Sequence, residues 1–157
     1  MKLSLDAAQQ MVTQAIPHAR ELGIEFVALD GKRMTIMVEQ QPHFVGNPDT
    51  GVVHGGLITT MLDSVSGIAV YVKTERFEPL ATLDLRIDYL KPSSPGLPIF
   101  AEAECYKATS SVAFVRGQAY QGDRNDPIAH CVGSFMLSTK GQSMRKDAEQ
   151  EINDAAS

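Results

Sequence analysis

The stretch Val52–Val72 constrains the fold more than any other part of the chain. It is long and mostly apolar, and between His54 and Val72 it carries one charged residue, Asp63. A surface helix of this length normally carries Lys and Glu along one side. A lone carboxylate is costly to bury, so we interpret Asp63 as a residue retained for chemistry in a largely buried helix.

A helical projection of this stretch gives two different sides. One side is an apolar stripe made of Ile58, Met61, Leu62, Val65, Ala69 and Val72. The opposite side is small and polar, and holds Thr59, Thr60, Asp63, Ser66, Gly67 and Val70. Small residues let another surface approach closely. We expect the apolar side to meet the chain's own sheet and the small side to meet a second subunit or a ligand. The alternative is that the small, polar side is exposed to solvent.

The start of the helix is the second informative feature. Gly55 and Gly56 follow His54, where backbone N–H groups have no partner inside the helix. Such donors and the helix dipole favour an oxyanion or a polarised carbonyl. Glycine lacks a Cβ, so a substrate carbonyl can come close. The plainer alternative is that the two glycines only shape the turn into the helix.

Donors at a helix start, a nearby His and a remote carboxylate together are typical of acyl transfer. The nine-residue offset puts Asp63 about 13 Å along the axis from His54, at ~1.5 Å per residue, and on the far side of the helix. One subunit therefore does not bring both onto one small carbonyl. Two antiparallel copies of the helix can, which predicts a homodimer with shared sites.

The remaining segments predict an N-terminal helix and a largely antiparallel sheet. The helix is expected over Ser4–Ile16, capped by Ser4. Short turns separate most of the strands, and Asp30-Gly31 is a hairpin signal. The expected strands are Ile24–Leu29, Arg33–Glu39, Leu80–Leu90, Ile99–Lys107, Val112–Tyr120 and Pro127–Ser138. Gln40–Val53 is rich in Pro and Gly and is expected to be a loop.

Leu80–Leu90 has the most regular alternation in the chain. Strict alternation places one set of side chains on one face, namely Ala81, Leu83, Leu85, Ile87 and Tyr89. It places the other set on the opposite face, namely Thr82, Asp84, Arg86 and Asp88.

Composition narrows the class of protein. The chain has 157 residues, which suits one domain. We expect this domain to span residues 1–139, and we expect the polar tail at 140–157 to be flexible. A net charge of −5 argues against nucleic-acid binding. Cys105 and Cys131 lack metal-ligand spacing and are expected to be reduced thiols in a cytoplasmic protein. No signal peptide is expected, and Asp63 argues against a membrane span.

The segment from Asn47 through His54-Gly55-Gly56 to Asp63, followed by the strand Thr82–Tyr89 that leads to Pro92, resembles a known family. It is similar to the hotdog-fold acyl-CoA thioesterases, in the branch of phenylacetyl-CoA and 4-hydroxybenzoyl-CoA thioesterases. The resemblance covers roughly residues 24–139. It implies an α+β hotdog fold, in which an antiparallel sheet of about six strands wraps a long central helix. It also implies a CoA thioester substrate and homodimers with two shared active sites. Pairing of two homodimers into a homotetramer is compatible with the resemblance.

The resemblance also implies roles for individual residues. The Gly55 N–H would donate a hydrogen bond to the thioester carbonyl, and Asn47 would assist it. His54 would hold either the loop or Asn47 in place. Asp49 is a competing candidate for the role of Asn47. Asp63 of the other subunit would be the nucleophile or the general base for water. Thr82 would orient that water.

Five further residues are candidates for substrate contact: Gly56, Phe44, Thr59, Ser66 and Arg86. Phe44 could instead pack in the core. Arg86 is considered as a donor to the CoA phosphates, and the alternative is that it lies on the solvated surface. His130 and Cys131 are adjacent, so they should point to opposite faces of a strand and form no catalytic pair.

The sequence predicts a thioester hydrolase that needs no metal or redox cofactor, with coenzyme A entering as part of the substrate. The alternative is a non-catalytic hotdog module that binds acyl-CoA as a sensor or carrier. Asp63 favours the enzyme, because a pure binder has no use for a carboxylate there. A hotdog dehydratase is a third possibility whose His-based signature is not matched.

Overall fold

A computed structural model describes residues 5–76 and 78–137, and within them a six-stranded antiparallel sheet wraps one long helix. The helices are Leu5–Ala15 (α1), Pro17–Glu21 (α2) and Gly55–Thr74 (α3). The strands are Glu25–Asp30 (β1), Arg33–Val38 (β2), Val45–Asn47 (β3), Val52–Val53 (β4), Leu80–Tyr89 (β5), Ile99–Ala108 (β6), Val112–Tyr120 (β7) and Ala129–Leu137 (β8). The main sheet has the order β1-β2-β6-β7-β8-β5, and β3 pairs with β4 in a separate ribbon. This confirms the predicted α+β hotdog fold with an N-terminal helix.

The helix α3 lies at the centre of the core. Its apolar side packs on the concave face of the sheet, chiefly on β6, β7 and β2. The strand residues that meet it are small or medium-sized, such as Ile36, Ala101 and Ala103, each at most 1% exposed. Small strand residues let the sheet curve closely around the helix, which is why one helix is enough to fill its concave face.

The predicted elements are present with small shifts at their ends. Asp30-Gly31 closes the β1–β2 hairpin, and Gly31 has φ +60°, a value that glycine adopts without strain. The predicted loop Gln40–Val53 contains more structure than expected, because a 3-10 turn at Pro42–Phe44 and the β3–β4 ribbon lead into α3. The proposed cap Ser4 and the predicted tail at 140–157 lie outside the described residues.

The strand β5 departs from strict alternation at a β-bulge. Thr82 pairs with Phe135 of β8, whereas Asp84 pairs with the next residue, Ser134, so Leu83 is an extra residue without a partner. Cross-strand partners share a face, and Phe135 is buried against the helix. Thr82 therefore faces α3, and the prediction that it shares the face of Asp84 was wrong.

The residues of β5 divide between the two faces accordingly. Those that face α3 are Leu80, Thr82, Leu85, Ile87 and Tyr89. Those that face outward are Ala81, Asp84, Arg86 and Asp88. Leu83 is 50% exposed at the bulge. Since β5 is an edge strand, its other edge carries no partner among the described residues.

The small side of α3 is only partly open. Ser66 and Val70 were predicted to lie on that open side, but both are 0% exposed. Ser66 lies against Cys131 of β8, and Val70 packs in a cluster with Phe135. The last strand thus covers this side of the C-terminal half of α3. A narrow open strip remains, formed by Gly56, Thr59, Thr60, Asp63, Ser64, Gly67 and Tyr71.

Within the described ranges, α3 is also the one helix long and apolar enough to cross a bilayer by length and composition. Half of its most apolar window is buried inside the protein. The core helix of a globular fold meets the same criteria, and the packing of α3 on five strands explains its apolar composition.

Candidate active site

The first turn of α3 contains two peptide groups that are held in different ways. In the peptide between His54 and Gly55, the carbonyl accepts the Leu57 N–H at 3.0 Å. The N–H of this peptide, which belongs to Gly55, donates to no acceptor among the described residues. It points out of the helix N-terminus, where the dipole favours a negative oxygen.

The next peptide, between Gly55 and Gly56, is occupied at both ends. Its N–H donates to His54 Nδ1 at 2.9 Å, so His54 is the N-cap of the helix. Its carbonyl accepts the Tyr89 hydroxyl at 3.0 Å and lies 3.2 Å from the Thr59 hydroxyl. Gly56 was predicted as a second open donor, but its N–H is used by His54. One backbone donor, Gly55, therefore remains for a substrate carbonyl.

Close backbone packing aligns the loop that precedes the helix. The backbone N–H of His54 donates to the Phe44 carbonyl at 2.8 Å. A Cβ on Gly46 would lie 2.8 Å from His54 Cα, so only glycine fits there. His54 thus fixes the loop through its backbone and caps the helix through its side chain.

Asn47 lies at the end of β3 in this loop and is exposed. Its side-chain oxygen accepts the Asp49 N–H at 3.0 Å, which closes a local turn. Its side-chain nitrogen makes no hydrogen bond to the described residues, so this donor is available to a ligand. Asp49 is tied to Asn47 through its backbone, and its carboxylate is exposed. This geometry favours Asn47 over Asp49 as the assisting group.

The carboxylate of Asp63 is held from the neighbouring strand. The Thr82 hydroxyl donates to Asp63 Oδ1 at 2.8 Å. Asp63 is half-buried on the open strip of α3, and its second oxygen, Oδ2, bonds to none of the described residues. The bulge at Leu83 creates this contact, because without it Thr82 would face away from the helix.

A buried polar pair lies behind Asp63. The Ser66 hydroxyl, one turn further along α3, is fully buried and makes no regular hydrogen bond to the described residues; it lies beside the Cys131 thiol. Burial raises the pKa of Cys131, and the Asp63 carboxylate raises it further, against the opposing effect of Ser66. The thiol therefore stays protonated and is no nucleophile at neutral pH.

The two parts of the site are well separated in one chain. Asp63 lies eight residues after Gly55, which is about 12 Å along the helix axis at ~1.5 Å per residue. A thioester carbonyl bound at Gly55 is thus out of reach of Asp63 in the same subunit. This agrees with the separation expected from the sequence.

Two cavities flank the helix start. One, of about 290 Å³, lies beside Gly55 and Tyr89 and is otherwise lined by Val52, Val53, Ile58, Leu90, Lys91, Pro92 and Ser93. The other, of about 260 Å³, lies beside His54 and Gly56, and its apolar wall includes Leu22, Phe44 and Leu57. Apolar walls on both sides of a polar donor are typical of a pocket for a largely apolar group.

The other predicted contacts fall in several places. Phe44 is 7% exposed and belongs to the core, although one side of it reaches the second cavity. Arg86 lies on the outer face of the sheet and bonds to Asp88 at 3.0 Å, which places it away from the helix. His130 is exposed and Cys131 is buried on the opposite face, as predicted.

Sequence reasoning missed one residue of the site. Tyr89 was placed on a strand face and in the family motif but was given no role in the site, yet its hydroxyl reaches the backbone of Gly55 and its ring lies against the same residue. The signal was its position at the end of a strand that alternation turns toward the helix. No group of His, Cys, Asp or Glu that could hold a metal ion occurs in residues 5–76 and 78–137.

Comparisons with known proteins identify the family. The family model described as the thioesterase superfamily matches residues 50–128, half of the chain, a range that contains Gly55, Asp63, Thr82 and Tyr89. Human acyl-coenzyme A thioesterase 13 is 33% identical over 116 residues, covering 73% of this chain and 80% of that protein. The medium/long-chain acyl-CoA thioesterase YigI of Salmonella typhimurium is 27% identical over 147 residues, covering 85% and 94%.

A solved structure supports the fold. A protein of Pseudomonas aeruginosa is 43% identical, with a TM-score of 0.74, and the match covers 85% of this chain and 98% of that one. Since the family match and the relative at 33% identity span the helix start, the carboxylate and the strand that holds it, the chain belongs to the thioesterase superfamily and is a thioester hydrolase.

Proposed function

We propose that this protein is an acyl-CoA thioesterase that hydrolyses the thioester to a free acid and coenzyme A. One observation carries the proposal: the Asp63 carboxylate is fixed by Thr82 through one oxygen and keeps the other free on the open strip of α3. A carboxylate held in this way is suited to take a proton from water. The names of the relatives support a CoA thioester as the substrate.

In the proposed reaction the thioester carbonyl accepts a hydrogen bond from the Gly55 N–H. Asp63 Oδ2 removes a proton from a water molecule, and the oxygen of that water attacks the carbonyl carbon. The resulting oxyanion is stabilised by Gly55 at the helix N-terminus, with Asn47 as a second donor. Cleavage of the carbon–sulfur bond then releases the CoA thiolate, which takes up the proton that Asp63 holds.

A second route uses Asp63 as the nucleophile. Its carboxylate would attack the carbonyl carbon and expel the CoA thiolate, and water would then hydrolyse the acyl anhydride. A single turnover in oxygen-18 water detects this second route. Label in the Asp63 carboxylate supports direct attack, because the general-base route transfers no oxygen to Asp63.

The active site is proposed to be shared across a homodimer. The Gly55 N–H and Asp63 of one chain lie about 12 Å apart along the helix. Each active site would therefore combine Gly55 of one chain with Asp63 of a second copy. The open strip of α3 and the unpaired edge of β5 adjoin each other and provide a surface for that copy. A pair of dimers would form the tetramer that is compatible with the family resemblance.

The first test is hydrolysis of a panel of aryl, short, medium and long acyl-CoAs by the wild type and by Asp63→Asn. We expect Asp63→Asn to lower kcat by about 10²–10⁴, the usual contribution of a general base. Asp84→Asn is the matched control, because Asp84 is an exposed carboxylate on the outer face of β5. Tight binding of acyl-CoA without turnover by the wild type would support the sensor or carrier alternative instead.

The second test mixes two inactive subunits. Gly55→Pro removes the N–H donor, and proline is favoured at the first residue of a helix. Refolding a mixture of Asp63→Asn and Gly55→Pro chains produces heterodimers in which one site has both groups intact. Random pairing should restore about a quarter of the wild-type rate if the sites are shared. No recovery, with dimers present by light scattering, would refute the shared site.

A further inference from the structure

We infer that Tyr89 is a positioning residue that sets the direction of the Gly55 N–H, an assignment that rests on the proposed carbonyl-binding role of Gly55. Tyr89 is the last residue of β5, and its hydroxyl donates to the Gly55 carbonyl at 3.0 Å. Its ring also packs on Gly55: a Cβ added there would lie 3.4 Å from Cε1 of the ring. Tyr89 therefore contacts the proposed donor residue through both its polar and its apolar parts.

The Tyr89 contact is part of a three-membered arrangement. The Thr59 hydroxyl is 2.6 Å from the Tyr89 hydroxyl and 3.2 Å from the same Gly55 carbonyl. Each hydroxyl has a single proton, so the assignment with the fewest conflicts has Tyr89 donating to the carbonyl and Thr59 donating mainly to Tyr89. Thr59 then orients Tyr89, and Tyr89 orients the peptide.

This arrangement acts on a peptide whose other end is already fixed. The carbonyl held by Tyr89 and the N–H held by His54 Nδ1 belong to the same planar unit, the Gly55–Gly56 peptide. This unit lies in the first turn of α3, and since glycine adds few steric restrictions of its own, the two side-chain contacts supplement the helix in fixing its plane. Fixing both ends of the plane leaves the adjoining Gly55 N–H little freedom of direction.

The direction of that N–H matters more in the transition state than in the ground state. An oxyanion moves away from the plane of the thioester as the carbon becomes tetrahedral, and a donor must be aimed at its final position. The loss of one positioning hydrogen bond should therefore lower kcat while KM changes little. Tyr89 itself need not touch the reacting atoms.

The test compares Tyr89→Phe with Tyr106→Phe. Both tyrosines are 53% exposed, but Tyr106 lies on β6 beside Arg116, away from the helix start. We expect Tyr89→Phe to lower kcat about tenfold, as expected for a displaced oxyanion donor, with KM changed less than twofold. Tyr106→Phe should match the wild type. Thr59→Val should also lower kcat, whereas Thr59→Ser, which keeps the hydroxyl, should have a kcat close to that of the wild type.

Two further readouts distinguish positioning from a structural role. In the first, an octanoyl-CoA ketone analogue, with carbon-13 at the carbonyl and a methylene in place of sulfur, is bound to each variant. Its carbonyl stretch should lie at higher frequency in Tyr89→Phe, because the Gly55 hydrogen bond is weaker. In the second, nuclear magnetic resonance of the ligand-free protein should show shifted Gly55 and Gly56 amide protons in Tyr89→Phe and unshifted ones in Tyr106→Phe.

The outcomes separate the two proposals. If the wild type hydrolyses acyl-CoA and Tyr89→Phe has wild-type kcat and wild-type Gly55 and Gly56 amide shifts, the positioning role is wrong and the proposed function stands. If the wild type hydrolyses no acyl-CoA, the proposed function is wrong. The amide shifts of the ligand-free variants then still decide whether Tyr89 orders this peptide.

Discussion

The helix start and the Asp63 region of α3 build their parts of the site by different means. At the helix start the reactive group is a backbone N–H, and its direction is set by the atoms that hold the two flanking peptide planes. At Asp63 the reactive group is a side chain, and one hydroxyl from a neighbouring strand orients it. The first arrangement combines the local cap from His54 with a contact from the distant Tyr89, whereas the second depends entirely on how two distant segments pack.

This difference suggests unequal tolerance to substitution. A backbone donor survives most side-chain changes at its own position, provided that the peptide keeps its direction. The carboxylate of Asp63 is lost with any substitution except Asp63→Glu, which keeps the group but moves it by one methylene.

After Asp63→Asn, the largest effect is expected at the helix start. Gly55→Pro deletes the donor without breaking the helix, and His54 already has φ −63° and ψ 134°, the extended conformation that a residue before proline prefers. We expect kcat to fall by about 10²–10³, the usual loss for one oxyanion donor. Gly55→Ala keeps the N–H and is the matched control. Equal impairment of the two variants would show that the side-chain space at Gly55, and not its N–H, is what the site requires, and wild-type activity of Gly55→Pro would contradict the role of the N–H.

A smaller loss is expected in the Asp63 region. Thr82→Val keeps the shape of the side chain and removes the hydroxyl that holds Asp63 Oδ1. We expect kcat to fall about tenfold, corresponding to ~1.4 kcal/mol of transition-state stabilisation. Thr82→Ser keeps the hydroxyl and should retain most of the activity. Steady-state kinetics on the best acyl-CoA of the panel provides the measurement, and a Thr82→Val enzyme as active as the wild type would contradict the assignment.

A gain in stability is expected just behind Asp63. Ser66→Ala removes a buried hydroxyl that has no regular hydrogen bond among the described residues. Leaving such a group unpaired costs about 1–3 kcal/mol, so we expect the free energy of unfolding to rise by about 1 kcal/mol. Ser64→Ala is the control for the helix propensity of alanine, because Ser64 is a half-buried neighbour on the same helix. Urea unfolding of both variants would reveal whether the gain exceeds that of the control.

The smallest expected effect concerns how the free energy of unfolding depends on pH in alkaline solution. Burial raises the pKa of Cys131 and of Cys105. Above the pKa of an unfolded thiol, about 8.5, the unfolded chain loses protons that the folded chain keeps, so the free energy of unfolding falls as pH rises. Cys131→Ala should make this slope shallower between about pH 8 and 10. An unchanged slope would show that Cys131 does not contribute to it.

Much of the fold and part of the site could be predicted from the sequence. The uncharged length of α3, the position of Asp63 and the glycines after His54 are properties of single short segments. Their interpretation needed only helix geometry and the chemistry of exposed N–H groups. The wide separation of Gly55 and Asp63 in one chain followed from the same reasoning.

The remaining features depend on contacts between distant segments. A bulge shifts the pairing of β5 with β8 by one residue, and no alternation of apolar and polar residues in Leu80–Leu90 reveals it. Ser66 is covered because β8 passes over that side of α3, which a helical projection does not include. The hydrogen bond from Tyr89 to Gly55 joins residues that are 34 positions apart.

The bulge at Leu83 has a consequence for engineering. Before Leu83 the even-numbered positions of β5 face the helix, whereas after Leu83 the odd-numbered positions do, because the bulge inserts one extra residue. A library that varied every second residue of β5 to reshape the wall facing the helix would change inward positions on one side of Leu83 and outward positions on the other. The inward set to diversify is 80, 82, 85, 87 and 89. Homologous sequences should be aligned with a one-residue gap allowed at this point.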